Sequence, residues 1–323
     1  MHSRLFSLTA FLALLWLCLW PQGGDAQQSD ERVAPYWKNI GVDVANLRDQ
    51  ADRGDATAEY QLGKLYMTGK GASSNYAEAA RYLRAAAEHG MADAEVALGY
   101  LYEQGKGLPR DYRRAAGYYA AAARQGSFTA ANNLATMYEH GQGVRRDVRQ
   151  AQKLYRQAAE GGNVVAQCNL ATMYFRGRGV TQDYGKAAEW FRKAAEEGFA
   201  PGQESVAWMY FTGTGVPRNF AIAAHWLNVA AHTSYPRAQI DLGYLYEQGK
   251  GVPLDYVAAY TWYKTAESGG EGRARERLKT LSRLMTEQQI SQANAAALEL
   301  STAIPKGEIE GSLTTGNAFI PGP

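Results

Sequence analysis

The chain has 323 residues, of which 46% are hydrophobic and 20% charged, a composition typical of globular rather than disordered proteins. Its 34 Lys and Arg residues and 32 Asp and Glu residues leave a formal net charge of +2. A nearly neutral chain gives no electrostatic reason to expect nucleic acid or an anionic membrane as its partner.

The first 26 residues predict a secretory signal peptide. Arg4 is followed by an apolar run over residues 5–20, and the small residues Gly24 and Ala26 stand where a signal peptidase needs them for cleavage after Ala26. The run is shorter than the about 20 residues that span a bilayer, and an uncleaved membrane anchor is the alternative. We therefore expect an exported protein, periplasmic or secreted, with no membrane span after signal removal.

Residues 27–53 are expected to form an irregular N-terminus and then a capping helix over residues 43–53. Leu47 and Ala51 stand 36 residues before Leu83 and Ala87, and 36 residues is the period of the repeat that follows. A charged outer face on this helix would close the first end of a repeat array, which has to be sealed from water.

The middle of the chain repeats every 36 residues without insertions, which indicates a repeat protein. One column of the repeat holds Tyr66, Tyr102, Tyr138, Tyr174, Tyr210 and Tyr246. Glycines recur three and five residues after each tyrosine, and an alanine column holds Ala79, Ala115, Ala151, Ala187, Ala223 and Ala259. The six repeats, called rows 1 to 6 below, are residues 54–89, 90–125, 126–161, 162–197, 198–233 and 234–269.

Each row predicts two helices, A and B. In row 2, apolar residues recur at spacings of three and four, the helical period, over residues 92–103 and again over residues 112–124. Between them, Gly105 suits a left-handed helix end, Gly107 suits a second turn, and Pro109 prevents the helix from continuing. The residue before each helix B is Asp or Asn, which predicts an N-cap at Asn75, Asp111, Asp147, Asp183, Asn219 and Asp255.

Two further helices are predicted after the rows, within residues 270–300. Ala274 and Leu278 fall in helix A columns and predict a seventh helix A over residues 272–284. Thr286 and Gln289 form a capping box that starts a last helix, ending near residue 300. Residues 301–323 have turn formers and no period, and a flexible tail is expected there.

The repeat resembles the Sel1-like repeat family, a relative of the tetratricopeptide repeat. The pattern is carried most fully by Ala238, Leu242, Gly243, Tyr246, Gly249, Gly251, Val252, Asp255, Ala259, Trp262, Tyr263, Ala266 and Gly270, and it covers residues 54–270. The resemblance implies an all-α fold: a right-handed α/α superhelix, or solenoid, of six helix-turn-helix repeats with capping helices. It implies no reaction.

The side chains that could carry chemistry do not form a catalytic, metal or cofactor site in the sequence. His225 and His232 lack a third close metal ligand. Gly213 and Gly215 resemble a phosphate loop, but a helix precedes them and every row has the same glycines. Cys168, the one cysteine left after signal removal, has no neighbouring base, and a half-buried thiol is expected. We expect no catalytic residue, metal or cofactor.

Two variable columns of helix A, three residues apart, predict a partner-binding groove, since A helices line the concave surface of paired-helix solenoids. The first column is Gln61, Ala97, Asn133, Asn169, Ser205 and Asp241, and the second is Lys64, Tyr100, Thr136, Thr172, Trp208 and Tyr244. Short polar side chains can bind the backbone of an extended segment, and aromatic rings dominate binding energy at interfaces. All of these residues except Ala97 are candidates for binding, and a merely solvated groove is the alternative.

These features predict a non-catalytic exported scaffold or adaptor that binds a protein or peptide. The resemblance points to envelope assembly, signalling control or host contact. One alternative is a β-lactam-binding or hydrolysing enzyme, as in cysteine-rich Sel1-like proteins, but this chain lacks their cysteine pair in each repeat. Another is an endoplasmic-reticulum degradation adaptor, but the end of the chain, "IPGP", shows neither a retention signal nor a membrane segment.

Overall fold

A computed structural model describes residues 44–69, 74–233 and 235–303 of the chain, and all regular structure in these ranges is α-helical. The predicted all-α fold is therefore confirmed. No helix in these ranges has the length and hydropathy needed to cross a bilayer. The predicted signal peptide, the whole of the predicted irregular N-terminus, and residues 304–323 of the predicted tail lie outside the described residues.

The described part of the chain divides into two compact units, and the division falls between Asn163 and Val164. Unit one contains α1 (Val44–Asp52), α2 (Ala56–Thr68), α3 (Tyr76–Glu88), α4 (Ala92–Gln104), α5 (Tyr112–Arg124), α6 (Phe128–His140) and α7 (Val148–Glu160). Unit two contains α8 (Val164–Arg176), α9 (Tyr184–Glu196), α10 (Ala200–Thr212), α11 (Phe220–Ala231), α12 (Pro236–Gln248), α13 (Tyr256–Ser268), α14 (Ala274–Leu281) and α15 (Glu287–Ala303). In each unit, a helix A packs on the helix B of its own row, and that helix B packs on the next helix A.

The predicted caps are confirmed in all six rows and the turn glycines in rows 2 to 6, whereas Gly71 of row 1 lies outside the described residues. The six Asp and Asn residues before the B helices all accept hydrogen bonds from backbone amides of the first helical turn. Each such cap contributes about 1 kcal/mol. In row 2, Gly105 and Gly107 both have φ of +69°, a left-handed conformation that glycine adopts without strain.

Alanine lets the helices of each unit approach closely. The side chains of the predicted alanine column have no exposed surface in any of the six rows. A second column, seven residues further along helix B, is equally buried and consists of Ala86, Ala122, Ala158, Ala194, Ala230 and Ala266. A larger side chain at these positions would separate the helices, because protein interiors are close-packed.

A buried tyrosine–glutamate pair joins helix B to helix A in three of the rows. The hydroxyl of Tyr119 donates to Glu103 Oε2 at 2.8 Å in row 2, and Tyr263 donates to Glu247 Oε2 at 2.6 Å in row 6. Row 3 has the same pair, Tyr155 and Glu139, at 3.1 Å. In rows 1, 4 and 5 both positions are apolar: Met67 with Leu83, Phe175 with Phe191, and Phe211 with Leu227. The two positions therefore change together, polar with polar and apolar with apolar.

Both ends of the array are helical as predicted, with corrections at the second end. The capping box is confirmed: Thr286 N donates to Gln289 Oε1 at 2.8 Å, and Gln289 N donates to Thr286 Oγ1 at 3.2 Å. The seventh helix A is shorter than predicted and spans Ala274–Leu281. The last helix reaches Ala303, so residues 301–303 are helical rather than part of a flexible tail.

The last helix covers the outer face of α13. Thr261 and Thr265 are buried there, and Ala293 and Ala297 of α15 are buried with them. Thr261 Oγ1 lies 3.4 Å from the carbonyl oxygen of Ala293. The residues that match Thr261 in rows 1 to 5, Arg81, Gly117, Lys153, Glu189 and His225, are all exposed. Small side chains on α13 and α15 therefore permit a contact that the other rows do not make.

Candidate functional site

The first predicted groove column is mostly buried, which corrects its assignment as a binding surface. Asn133 and Ser205 have at most 1% of their surface exposed, and Asn169 has 8%. Asn133 Oδ1 accepts from Asn132 Nδ2, and Ser205 Oγ donates to the carbonyl of Pro201. No partner can reach Asn133 or Ser205 in this structure. Of this column, Gln61 is exposed and Asp241 is partly exposed.

The second predicted column faces solvent in both units. Lys64 is exposed, and the other five members are partly exposed. The two threonines already use their hydroxyls within the fold: Thr136 Oγ1 lies 2.9 Å from the hydroxyl of Tyr155, and Thr172 Oγ1 donates to the carbonyl of Cys168 at 2.8 Å. The large side chains Tyr100, Trp208 and Tyr244 therefore provide most of the accessible surface of this column.

Unit two carries six partly or largely exposed aromatic rings beside this column, which we call the aromatic row. They are Phe175, Tyr184, Trp208, Phe211, Phe220 and Tyr244. Phe175 contacts both Tyr184 and Trp208, with ring centroids 5.1 Å and 5.5 Å apart. Phe211 contacts Phe220 at 5.2 Å and Tyr244 at 6.3 Å. The row thus links rings from consecutive A helices and from the first residues of the B helices.

Sequence reasoning found Trp208 and Tyr244 but missed the other four rings. Phe175 and Phe211 stand three residues after the second column, at the position that holds the paired glutamates of rows 2, 3 and 6. Tyr184 and Phe220 are the first residues of α9 and α11. The sequence signal that could have identified Phe175 and Phe211 is an aromatic residue at the position where rows 2, 3 and 6 have a glutamate.

Two lysines lie over tyrosines of the second column. Lys106 Nζ donates to the hydroxyl of Tyr100 at 3.1 Å, and Lys250 Nζ donates to that of Tyr244 at 3.3 Å. Burial alone lowers the pKa of Lys106, but the hydrogen bond and the proximity of Tyr100 outweigh it, and the pKa is raised. The ammonium group of Lys106 therefore stays charged at neutral pH.

A cluster of ionisable groups surrounds Asp241 in unit two. Glu204 is 1% exposed; it accepts a hydrogen bond from the hydroxyl of Tyr235 at 2.8 Å and pairs with Arg237 at 3.0 Å. Burial, and next the negative charge of Glu204, raise the pKa of Asp241 to about 8. Burial also raises the pKa of Glu204, against the opposing effect of Arg237. Asp241 is therefore largely protonated at neutral pH and is not a free anion on the surface.

Asp241→Asn is expected to stabilise unit two at pH 8 by about 1–3 kcal/mol, because it removes the cost of ionising a poorly solvated carboxyl. The folded pKa lies above the unfolded one, so the folded state binds more protons and the wild-type protein loses stability as pH rises from about 4 to 8. Urea unfolding at several pH values, followed by tryptophan fluorescence, measures this slope. The variant should lose the part of the slope that Asp241 contributes, while Glu204, whose pKa is also raised, keeps its own part. Asp183→Asn, a control that keeps a capping residue, should retain both parts; equal slopes in wild type and Asp241→Asn would contradict the prediction.

The cysteine and histidine side chains considered above as candidates for chemistry are buried or make contacts within the fold. Cys168 has no exposed surface, so it is more buried than expected, and burial raises the pKa of its thiol. His232 Nδ1 lies 2.7 Å from the carbonyl oxygen of Asn228, and its ring meets Trp262 edge to face. Within the described residues, no three His, Cys, Asp or Glu side chains are grouped to hold a metal ion.

Hairpins of paired helices, repeated in register and sealed by extra helices, define an α-solenoid repeat protein with an aromatic surface on its A helices. The chain belongs to the Sel1 repeat family. The family model "Sel1 repeat" matches residues 56–91, 92–127, 129–163, 164–199, 200–232 and 236–271. Proteins of this family generally act as protein-binding scaffolds and are typically not catalytic.

Solved structures of bacterial Sel1 repeat proteins are similar to the chain. A Sel1 repeat protein from Oxalobacter formigenes is 28% identical, with 75% of this chain and 96% of that chain covered and a TM-score of 0.62. c5321, a protective antigen of uropathogenic Escherichia coli with an SLR fold, is 25% identical, with 81% and 72% covered and a TM-score of 0.48. No curated protein sequence matches the chain.

Proposed function

We propose that this protein is an exported, non-catalytic adaptor that binds a protein or peptide through the exposed surface of its A helices. The binding residues are Tyr100 in unit one and the aromatic row in unit two, with Gln61 and Lys64 at the first row of the array. The biological setting is envelope assembly, signalling control or host contact.

The aromatic row is the observation that carries this proposal. Six large rings in two contiguous groups of three keep part of their surface in contact with water, and contiguous exposed apolar patches mark interaction sites. Trp and Tyr are also the residues that most often dominate binding energy. The proposed export rests on Arg4, the apolar run 5–20 and the small residues before Gln27.

The test compares two partly exposed tryptophans of unit two. Trp208 lies on helix A within the aromatic row, whereas Trp190 lies on helix B, where it contacts Lys193. The tagged protein is recovered from the envelope and medium of the producing bacterium, its first residue is determined, and copurifying proteins are quantified. We expect Gln27 as the first residue, and a partner whose recovery falls about 30-fold with Trp208→Ala, a loss typical of a binding hot spot.

Trp190→Ala is the control and should retain the same partner. A photocrosslinking amino acid in place of Tyr244 should form an adduct with that partner, and one in place of Trp190 should not. Circular dichroism shows that each variant is folded. Equal recovery with Trp208→Ala and wild type, or an adduct from position 190 alone, would show that the partner binds elsewhere.

A further inference from the structure

The sequence GYLYEQGKG occurs twice, at residues 99–107 and 243–251, and each copy builds the same lysine–tyrosine arrangement. In both copies the lysine follows the first turn glycine, and the tyrosine stands six residues before the lysine on helix A. The matching loop residues in rows 3, 4 and 5 are Gln142, Arg178 and Thr214. Rows 2 and 6 thus combine a loop lysine with a tyrosine of the second column.

The ammonium group of Lys106 lies near two aromatic rings, and that of Lys250 lies near three. Lys106 Nζ lies 5.2 Å from the ring centroid of Tyr100 and 5.4 Å from that of Tyr76, the first residue of the preceding helix B. Lys250 Nζ lies 5.2 Å from the centroids of both Tyr244 and Phe211 and 6.0 Å from that of Phe220. Such contacts hold a cation in place but leave its charge without a counter-ion.

Neither lysine has an acidic partner among the described residues: no carboxylate there lies within ion-pair distance of Lys106 or Lys250. The glutamates of the same two stretches are already engaged, Glu103 with Tyr119, and Glu247 with Tyr263 and Arg277. An ammonium group has three N–H donors, and in each copy the tyrosine hydroxyl takes one. Both lysines are partly exposed, so the other donors can meet a ligand.

We propose that Lys106 in unit one and Lys250 in unit two are two separate sites, each of which binds a carboxylate of the partner protein, and that an apolar residue beside each carboxylate packs on the adjacent rings. This inference rests on the proposed function and specifies the partner's chemistry. A charge-assisted hydrogen bond to carboxylate is stronger than a neutral one. Aromatic rings lie next to each ammonium group. They favour a ligand that carries an apolar group beside its carboxylate, as a protein segment does.

A random peptide library displayed on phage provides the test, with the mature protein as the immobilised target. Wild type, Lys106→Met with Lys250→Met, and Trp208→Ala are used in parallel. Methionine keeps a long apolar stem and removes the charge together with the hydrogen bond to the tyrosine hydroxyl. The matched control is Lys153→Met with Lys279→Met, which removes the same charge from two exposed lysines outside the aromatic row, one in each unit.

We expect wild type and the control to select peptides with Asp or Glu next to an aromatic or aliphatic residue. For a synthetic peptide of that kind, fluorescence anisotropy should show binding about tenfold weaker with the double methionine variant. Replacing Glu by Gln in the peptide should weaken binding to wild type by a similar factor and should not weaken binding to the double variant further. Added salt should reduce the difference, because the pairs are partly exposed.

The outcomes separate this inference from the proposed function. Selection of neutral or basic peptides that depend on Trp208 would leave the proposed function standing and overturn the acidic partner. The acidic partner would equally be overturned by vesicles of phosphatidylcholine and phosphatidylserine that bind through the two lysines when acidic peptides do not. Failure of wild type to select any peptide that depends on Trp208 or on the two lysines would count against both.

Discussion

Gly251→Ala is expected to destabilise unit two by about 4 kcal/mol. Gly251 has φ of +73°, and a Cβ atom there would overlap the backbone carbonyl of Phe220 and lie 2.7 Å from the amide nitrogen of Ala221. Part of the loss, about 1–2 kcal/mol, comes from the left-handed backbone. The rest arises because the loop and the start of α11 must separate, since backbone atoms cannot rotate away as a side chain can.

Gly270→Ala is the matched control in the same unit. Gly270 has φ of +91°, but nothing lies within 4 Å of a Cβ atom built there. This variant should lose only the conformational part, about 1–2 kcal/mol. Four tryptophans lie in unit two, at positions 190, 208, 226 and 262, so tryptophan fluorescence during urea unfolding reports its stability. Equal losses of stability in the two variants would show that the close approach of Gly251 to α11 does not contribute to the loss.

Tyr119→Phe is expected to destabilise unit one by about 1–3 kcal/mol, although it removes only a hydroxyl. Tyr119 is completely buried and Glu103 is 8% exposed, so the variant removes one hydrogen bond from a buried carboxylate. Tyr118→Phe is the control: its ring is partly exposed and stacks on Tyr102, and its loss should be within about 0.5 kcal/mol. Hydrogen exchange of the amides of α4 and α5 measures both.

Adding Glu103→Met to Tyr119→Phe should recover most of that loss. The double variant makes both positions apolar, as they are in rows 1, 4 and 5. Glu103→Met alone should destabilise, because it removes a hydrogen bond from the buried hydroxyl of Tyr119. The sum of the two single losses in unfolding free energy should therefore exceed the loss in the double variant by at least about 1 kcal/mol. Additive losses would contradict a coupled pair and would make the covariation between rows coincidental.

Most of each hairpin could be predicted because its determinants are local. Asp111 caps α5 through amides two and three residues away, and Gly105 ends α4 through its own backbone angles. The capping box of Thr286 is equally local. Such features need only a short stretch of chain to form, and they recur in every row, so the period of 36 residues made them easy to recognise.

The candidate site could be predicted only in part, because neighbouring columns of one helix differ in exposure. Ser205 and Trp208 are three residues apart and were assigned to one face, yet Ser205 is 1% exposed while Trp208 is partly exposed. The boundary between buried and exposed surface falls between these columns. Phe175 was missed since its role depends on contacts with Tyr184 and Trp208, which belong to other helices.

The sequence by itself determined the all-helical class, the six rows, the caps and the turn glycines, since each depends on residues within about one hairpin. Only the tertiary structure showed that Gly251 lies against the start of α11, that α15 covers the outer face of α13, and that Asp241 shares its surroundings with Glu204. These contacts join residues about 30 positions apart. Burial and charge at such places follow from how the hairpins stack, and stacking depends on the shapes of two surfaces that no single stretch of chain contains.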